Sequence, residues 1–301
     1  MYLHDDRDLF RQIVISASEH LGLVPQMIEK DYYVTMILRL LAERYDNVVF
    51  KGGTSLSKAF NVISRFSEDI DITFTEHIGG SRRKKLKNEV ILGISRSLGI
   101  PITNWSESQS DRDVNSYIFD YETLFSPDGK ISGGVKLETA LGSYAFPVVD
   151  MEIGNYLNSF LTDIGESDTI FNFDLSPFVM KVQSLERTFI DKVFALCDYF
   201  LQGKSKRLSR HLYDISKIEP QITIDDSFQQ LVQEVRDHRR TMSVCPSADP
   251  SVDIPDLIGS ICSSDFYKED YESITQYFVW DSVAYEDAKK CLMTISRRIL
   301  F

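Results

Sequence analysis

A glycine pair placed between two strand-like stretches is the feature that most restricts how this chain can fold. Residues 48–50 are β-branched and aromatic, which predicts a short buried strand, and Gly52-Gly53-Thr54 follows almost directly. Glycine has no Cβ, so backbone N–H groups can come close to a phosphate, for example at the start of the following helix. Residues 69–72 then alternate polar and apolar side chains, which predicts a strand with one polar face.

Asp69 and Asp71 are the central candidates for chemistry. Residues i and i+2 of a strand point to the same face, so we expect the two carboxylates to project together. Adjacent carboxylates repel each other unless a cation or a proton lies between them, and Mg²⁺ prefers a few carboxylates plus substrate phosphates. Glu138, on another alternating stretch, is the candidate third carboxylate. This set suits two-metal nucleotidyl transfer from an NTP, where positioning and charge stabilisation carry most of the rate.

A pair of acids alone is weak support for catalysis. Exposed strand edges often carry paired acids, and for Asp69 and Asp71 in isolation the two interpretations have about equal weight. The glycine turn upstream and the strand-borne Glu138 downstream favour the catalytic interpretation.

The periodicity of apolar residues divides the chain into two regions. Helical spacing is predicted over residues 9–21, 27–43, 55–63 and 81–98 in the first region, and over 186–202, 207–218, 227–240, 267–279 and 284–299 in the second. Strands are predicted at 48–50, 69–72, 117–121, 134–139, 146–153 and 178–182, with a turn at 127–129 and a connector at 245–255. We therefore expect an α+β fold, with strands and helices mixed over residues 1–184 and a mostly helical C-terminal domain over residues 185–301.

Composition excludes several classes of protein. The chain has 301 residues, of which 43% are apolar, which argues for a packed core and against intrinsic disorder. Its net charge of −12 disfavours a protein that coats duplex DNA. No stretch approaches the ~20 apolar residues of a membrane span, and the charged N-terminus lacks a signal-peptide core, so we expect no membrane partner and a cytoplasmic location. The four cysteines are scattered, which argues against structural zinc.

Several blocks of the sequence resemble, in order, the AbiEii/AbiGii nucleotidyltransferase toxin family. The blocks that carry the resemblance are residues 28–35 (IEKDYYVT), 50–58 (FKGGTSLSK), 65–71 (RFSEDID), 185–192 (LERTFIDK) and 210–215 (RHLYDI). Separated motifs in the right order are far more specific than one motif.

The resemblance implies that residues 1–184 form a nucleotidyltransferase-like mixed β-sheet core flanked by helices, of the polymerase-β type. It implies that this core uses an NTP with Mg²⁺ and acts on an RNA acceptor, which in characterised relatives is the 3′ end of tRNA. It also implies a bacterial toxin with a cognate antitoxin, in some cases in phage defence by abortive infection. The matching catalytic positions are Ser67, Asp69, Asp71, Lys192 and Asp214; the nucleotide-binding positions are Gly52, Gly53, Thr54 and Lys58; the metal ligands are Asp69, Asp71 and Glu138. Glu138 is assigned mainly from its own flanking pattern.

Lys192 and Asp214 also have plainer interpretations. Lys192 lies three residues after Phe189 and four before Leu196, so it borders the apolar stripe of its helix. A lysine there either binds an anionic group or runs its stem along the edge of the core. Asp214 lies four residues after Arg210 and would otherwise form a surface ion pair. The resemblance favours the functional interpretation of both.

Two other functions fit parts of the sequence. Transfer to a protein or a small molecule fits the acidic charge, because such an acceptor needs no broad basic groove. A non-catalytic module that holds a nucleotide and an antitoxin fits the fold alone, but the intact pair Asp69 and Asp71 argues against it.

Overall fold

The computed structural model describes residues 1–126, 131 and 133–301, and these residues form two compact units. The first unit comprises Met1–Ala59 and Ser67–Val182, and the second comprises Phe60–Phe66 and Gln183–Phe301. Residues Phe60–Phe66 thus belong to the second unit, which differs from the single boundary expected after residue 184. The turn predicted at residues 127–129 lies outside the described residues.

A six-stranded mixed sheet forms the centre of the first unit. Its strands are β1 Val48–Lys51, β2 Ile70–Phe74, β3 Val114–Phe119, β4 Val135–Tyr144, β5 Val148–Ile153 and β6 Phe178–Gln183. Their order across the sheet is β3-β4-β2-β1-β6-β5. β1 pairs antiparallel with β2 and parallel with β6, whereas β4 is parallel to β2 and antiparallel to β3. The predicted α+β class with a mixed sheet flanked by helices is confirmed, although several strand ends are shifted.

The helices that the structure describes in the first unit are α1 Arg7–Leu21, α2 Pro25–Arg44, α3 Gly52–Lys58, α4 Gly80–Lys85, α5 Leu92–Leu98, α6 Tyr156–Asp163 and α7 Ser167–Asn172. The single helix predicted over residues 81–98 is α4 and α5 joined by a π-helical stretch, Leu86–Ile91. No helix was predicted at α6 or α7, which are short segments between β5 and β6.

The second unit is helical, as expected for the C-terminal region. Its helices are α8 Leu185–Leu201, α9 Arg210–Ile218, α10 Asp226–Arg240, α11 Ile254–Ser263, α12 Lys268–Ser273 and α13 Tyr285–Ile295. Ser184 caps the start of α8, because its Oγ accepts the N–H of Arg187 at 3.2 Å. α8 packs against α9, α10 and α11. No helix was predicted at α11. None of the helices in the described part of the chain has the length and apolar character that crossing a membrane requires.

Candidate active site

Polar side chains from four adjacent strands form a row across the sheet of the first unit. Lys51 on β1 lies opposite Asp71 on β2, and Asp71 lies opposite Glu138 on β4. Ser116 on β3 completes the row opposite Glu138. Asp71 and Glu138 are partly exposed, whereas their neighbours along each strand are buried, so both face the polar side of the sheet. The structure therefore brings two of the three predicted metal ligands together.

The carboxyl of Asp71 is hard to ionise. Burial raises its pKa most, Glu138 and Asp69 raise it further, and Lys51 opposes them, which leaves the pKa at about 6. Asp69, the residue before β2, is thus close enough to act on Asp71 through its charge. Glu138 has its own counter-ion, because its Oε1 lies 2.6 Å from Lys136 Nζ. In this acidic row, the three carboxyl groups of Asp69, Asp71 and Glu138 outnumber the two neighbouring lysines, and the uncompensated negative charge falls on Asp71.

Gly52 makes room for the Asp71 carboxylate. Its φ of +83° lies in the left-handed region, and a Cβ added there would lie 2.1 Å from Asp71 Oδ2. α3 begins at this residue, directly after β1. The glycine that the sequence analysis assigned to phosphate binding therefore has a second physical reason, which is that it packs against the acid.

The donors in this row suit Mg²⁺ without forming a complete cage. Carboxylate oxygens are the preferred ligands of hard cations, and a cation would relieve the repulsion that raises the pKa of Asp71. Across residues 1–126, 131 and 133–301, no three His, Cys, Asp or Glu side chains are grouped as a ligand set for a metal. Mg²⁺ commonly takes one or two protein carboxylates and fills its other positions with water and phosphate oxygens. The residues thus fit an ion that arrives with a nucleotide.

Thr54 connects the segment before β2, Ser67–Asp69, to α3; this segment is called the acidic segment below. Its hydroxyl donates to the carbonyl oxygen of Asp69 at 2.5 Å and lies 2.9 Å from the hydroxyl of Ser67. Thr54 is buried, so water does not compete for these bonds. Thr54 therefore fixes the backbone that leads into β2 and places Ser67 beside α3.

Lys30 holds the same segment from α2, and sequence reasoning gave it no role. Its Nζ lies 2.5 Å from Glu68 Oε2, and the lysine is only 1% exposed. Glu68 stands between Ser67 and Asp69 in the chain. A signal was present, since Lys30 lies within a helical stretch dominated by apolar residues, where a charge needs a partner.

Lys58 is bound to protein acceptors. Its Nζ lies 2.5 Å from Asp31 Oδ1 and donates to Thr35 Oγ1 at 2.7 Å and to the Gly154 carbonyl at 3.1 Å. An ammonium group has three donors, so these contacts use all of them. A phosphate would have to displace one of these acceptors, and the contacts give Lys58 a role in holding α3 to α2. The nucleotide contact predicted for Lys58 stays a prediction.

Lys192 and Asp214 form a buried ion pair within the second unit. Lys192 Nζ lies 2.7 Å from Asp214 Oδ2, and Asp214 is 0% exposed. Arg65, which the sequence analysis did not single out, donates to both oxygens of the same carboxylate. Complete burial excludes the plainer interpretation of Asp214 as half of a surface pair with Arg210.

The three charges perturb one another. Burial would raise the pKa of Asp214, but Arg65 and Lys192 hold it well below its usual range. Burial lowers the pKa of Lys192, and the charge of Arg65 lowers it further, while Asp214 opposes both. The cluster carries one excess positive charge in a buried place, which suits an anionic ligand.

One comparison with known proteins identifies the family, and another supports the fold. The family model described as "Nucleotidyl transferase AbiEii toxin, Type IV TA system" matches residues 38–279, which contain the glycine turn, the acidic row, Lys192 and Asp214. A search of curated proteins finds no match. Among solved structures, MenT4, a nucleotidyltransferase toxin from Mycobacterium tuberculosis H37Rv, is similar with a TM-score of 0.51 and 16% identity over 94% of this chain and 87% of that one. That structural likeness shows the fold alone. The family match confirms the resemblance found in the sequence, and the chain belongs to the AbiEii family of nucleotidyltransferase toxins of type IV toxin–antitoxin systems.

Proposed function

We propose that this toxin transfers nucleotides from a Mg²⁺-bound NTP to an RNA acceptor, namely the 3′ end of tRNA. The observation that carries the proposal is the acidic row, in which the Asp71 carboxyl packs against Gly52 beside Glu138 and keeps a pKa of about 6. Ionising this carboxyl is unfavourable, and carboxyl groups with perturbed pKa values concentrate at functional sites, which supports a functional role for Asp71.

The roles of the residues follow from their surroundings. Asp69 and Asp71, with Glu138, would hold the metal, which when bound neutralises phosphate charge and makes the attacking hydroxyl more acidic. The N–H groups of Gly52 and Gly53 open α3, where the first turn of a helix has no internal acceptors, and they bind phosphate oxygens.

The remaining side chains position and bind. Thr54 keeps Ser67 and Asp69 in register through its two hydrogen bonds. Because Thr54 gives its proton to the Asp69 carbonyl, Ser67 is the donor in their mutual bond. When a nucleotide binds, Ser67 would turn this hydroxyl hydrogen bond from Thr54 to a phosphate oxygen. Lys192 binds the triphosphate as a point charge, the kind of contact that an ammonium group makes well.

An RNA acceptor is supported by the segment between α8 and α9. Lys204, Lys206 and Arg207 in this segment, and Arg210 at the start of α9, are all exposed. Clustered basic side chains contact a nucleic acid backbone through its phosphates. The overall acidic charge confines such contact to a local patch.

The first experiment incubates the purified chain with total tRNA, Mg²⁺ and each labelled NTP in turn. We expect label on tRNA with at least one nucleotide, and loss of the label with EDTA or with Asp69→Ala. Asp150→Asn is the matched control, because Asp150 is an exposed aspartate of the same sheet that pairs with Lys181. Absence of transfer with all four nucleotides would refute the proposal.

A second acceptor class is favoured by one observation, the net charge of −12, which suits a protein or a small molecule better than a long polyanion. Incubating the chain with separated protein, RNA and small-molecule fractions distinguishes these acceptors. Label in the protein or small-molecule fraction alone would replace tRNA as the acceptor while leaving the nucleotidyltransferase chemistry intact.

The antitoxin and the role in phage defence belong to the same proposal. Cells that carry this chain with its antitoxin should survive phage challenge as a population better than cells that carry Asp69→Ala. Equal phage yields from the two cultures would remove abortive infection from the proposal.

A further inference from the structure

Residues 64–66 are fixed to the second unit on both sides. The N–H of Ser64 donates to the Tyr213 hydroxyl on α9 at 3.0 Å. Its carbonyl accepts the N–H of Trp280 at 2.8 Å, and the N–H of Phe66 donates to the carbonyl of Phe278 at 3.1 Å. These three bonds fix the backbone on both sides of Arg65, and therefore the point from which its side chain extends.

The guanidinium of Arg65 forms a bidentate ion pair with the Asp214 carboxylate. Its Nε donates to Oδ1 at 2.7 Å and its terminal nitrogen donates to Oδ2 at 2.8 Å. Lys192 Nζ shares Oδ2 at 2.7 Å. All three residues are buried, with Arg65 4% and Lys192 5% exposed. Two cations thus hold one anion that either could neutralise alone.

We propose that Arg65 is a positioning residue that keeps Asp214 paired when Lys192 turns from that carboxylate to a phosphate of the substrate. The inference rests on the proposed role of Lys192 in binding the triphosphate. Removing one partner of a buried pair is strongly unfavourable, because the other charge is left without compensation. With Arg65 present, Lys192 can leave Asp214 while both carboxylate oxygens keep a charged donor.

Geometry explains why the residue is an arginine. A bidentate guanidinium fixes the plane of the carboxylate, whereas a lysine would supply the charge at a single point. Arg65 makes two bonds to the carboxylate and Lys192 makes one, so Lys192 can leave Oδ2 with the loss of a single bond. A neutral residue at position 65 would convert the cluster into a closed pair of Lys192 and Asp214, which has no charge left to offer a ligand.

The charges that face Lys192 define a pH signature. They come from Asp214 and Arg210 on α9 and from Arg65 on residues 64–66, and the titratable side chain of His211 on α9 is close to the same group. Arg65 and Arg210 lower the pKa of Lys192 and Asp214 raises it, while His211 stays neutral because burial and these cations lower its own pKa. Removing Arg65 should therefore raise the pKa of Lys192 and move the alkaline limb of the pH–rate profile to higher pH.

The test compares Arg65→Gln, Arg65→Lys and Lys192→Gln for KM of the NTP, kcat, pH profile and thermal midpoint. We expect Arg65→Gln to raise KM tenfold or more with a smaller change in kcat, and to shift the alkaline limb upward. Arg65→Lys should recover part of the KM. In its folded fraction, the double variant Arg65→Gln/Lys192→Gln should have a KM for the NTP no higher than that of Lys192→Gln, while its thermal midpoint falls further because buried Asp214 keeps no cation. Arg236→Gln is the control, since Arg236 is an arginine of the same unit that donates to the carbonyls of Ala248, Asp249 and Val252.

Each outcome decides something. If Lys192→Gln leaves KM unchanged, the proposed function of Lys192 fails and the inference fails with it. If Lys192→Gln raises KM but Arg65→Gln gives an unchanged KM and an unmoved alkaline limb, only the inference is overturned. If Arg65→Gln does not fold, Arg65→Lys decides: a raised KM relative to Arg236→Gln supports positioning, and a KM equal to that of the unmodified chain rejects it.

Discussion

At the scale of single residues, the pair Gly52 and Asp71 shows how the chain trades stability for a site. Asp71 lies between Lys51 and Glu138 and against the open side of Gly52, so its carboxyl is desolvated yet still faces the polar side of the sheet. The raised pKa measures the cost of ionising it there. Sites that bind a cation commonly hold such repulsion in the absence of the ion.

We therefore expect Asp71→Asn to stabilise the metal-free protein while abolishing transfer. The folded pKa of about 6 lies above the ordinary 3.8, so the folded state binds the proton more tightly. The destabilisation from Asp71 is absent below pH ~4, develops as the pH rises through about 6, and is complete at pH 7.5. The gain at pH 7.5 should be about 1–3 kcal/mol, or roughly 2–6 °C in thermal midpoint. Thermal unfolding of the variant and the unmodified chain in EDTA, at pH ~4 and at pH 7.5, measures this difference in stability.

The control for this prediction is Asp150→Asn, which removes an exposed carboxylate from β5 of the same sheet. Its thermal midpoint should change little, because an exposed ion pair contributes ~0–1 kcal/mol. A thermal midpoint of Asp71→Asn at or below that of the unmodified chain at pH 7.5 would show that the carboxyl is not under electrostatic strain.

Replacing Gly52 by alanine separates close packing from backbone conformation. Gly52 and Gly99 both have positive φ, +83° and +66°, but a Cβ at Gly99 meets nothing within 4 Å, whereas one at Gly52 meets Asp71 at 2.1 Å. Gly99→Ala should cost about 1 kcal/mol of stability and leave transfer intact. Gly52→Ala should cost more and remove activity, because the carboxyl must move. Equal effects on tRNA labelling would mean that the contact with Asp71 has no part in the reaction.

At the scale of elements, α2 supports the site through two ion pairs. It carries Lys30, which holds Glu68 in the acidic segment, and Asp31, which holds Lys58 at the end of α3. Periodicity predicted this helix from its apolar residues and could not reveal these bonds, because each partner lies in a different part of the sequence. The pattern shows which face is buried and not which charge meets which.

Lys58→Met tests whether this lysine is a structural tie or a nucleotide contact. As a tie, its loss leaves Asp31 largely buried with a lost partner, and stability should fall by about 2–4 kcal/mol. The KM for the NTP should then stay within twofold in the folded fraction. Lys181→Met, which removes an exposed lysine of β6 that pairs with Asp150, should change neither quantity. A large rise in KM at unchanged thermal midpoint would restore Lys58 to the nucleotide site.

The sheet was largely predictable, and the exceptions have physical reasons. Alternation identified β2 around Asp71 and β4 around Glu138, because both strands have one polar face. Sequence alone could not show that Asp71 and Glu138 are neighbours, since β4 lies far along the chain and pairing depends on the whole sheet. α11 was missed because its start falls in a stretch rich in proline and serine, which was interpreted as a connector.

At the scale of the whole molecule, the division into units depends on contacts between residues that are far apart in the sequence. Arg65 and Asp214 are 149 positions apart, yet they are hydrogen-bonded, and Phe60–Phe66 belongs to the second unit together with Asp214. Periodicity predicts one boundary along the chain, because a local pattern does not show which distant residues are in contact. It therefore cannot assign a separate segment such as Phe60–Phe66 to the second unit. The sequence motif around Arg65 instead suggested continuity with Ser67 and Asp69, which lie in the first unit.

The charge of the whole chain makes a final prediction about the acceptor. With a net charge of −12, long-range repulsion should weaken the encounter with tRNA at low salt, while the exposed Lys204, Lys206, Arg207 and Arg210 attract it locally. Four phosphate contacts bound the slope of log KM against log salt at about 3, and screening of the repulsion reduces it further. We expect a measured slope between 0 and about 3.

Single substitutions give this prediction its sharpest form. Lys206→Gln should lower the slope by about 0.7, the amount expected for one contact to a single strand, without changing the KM for the NTP. Lys84→Gln is the control, because Lys84 is an exposed lysine of α4 in the first unit. A slope well above 3 would require a broad basic groove that the composition of this chain argues against. An unchanged slope in Lys206→Gln would place the acceptor elsewhere, because a phosphate contact cannot be lost without releasing its share of the salt dependence.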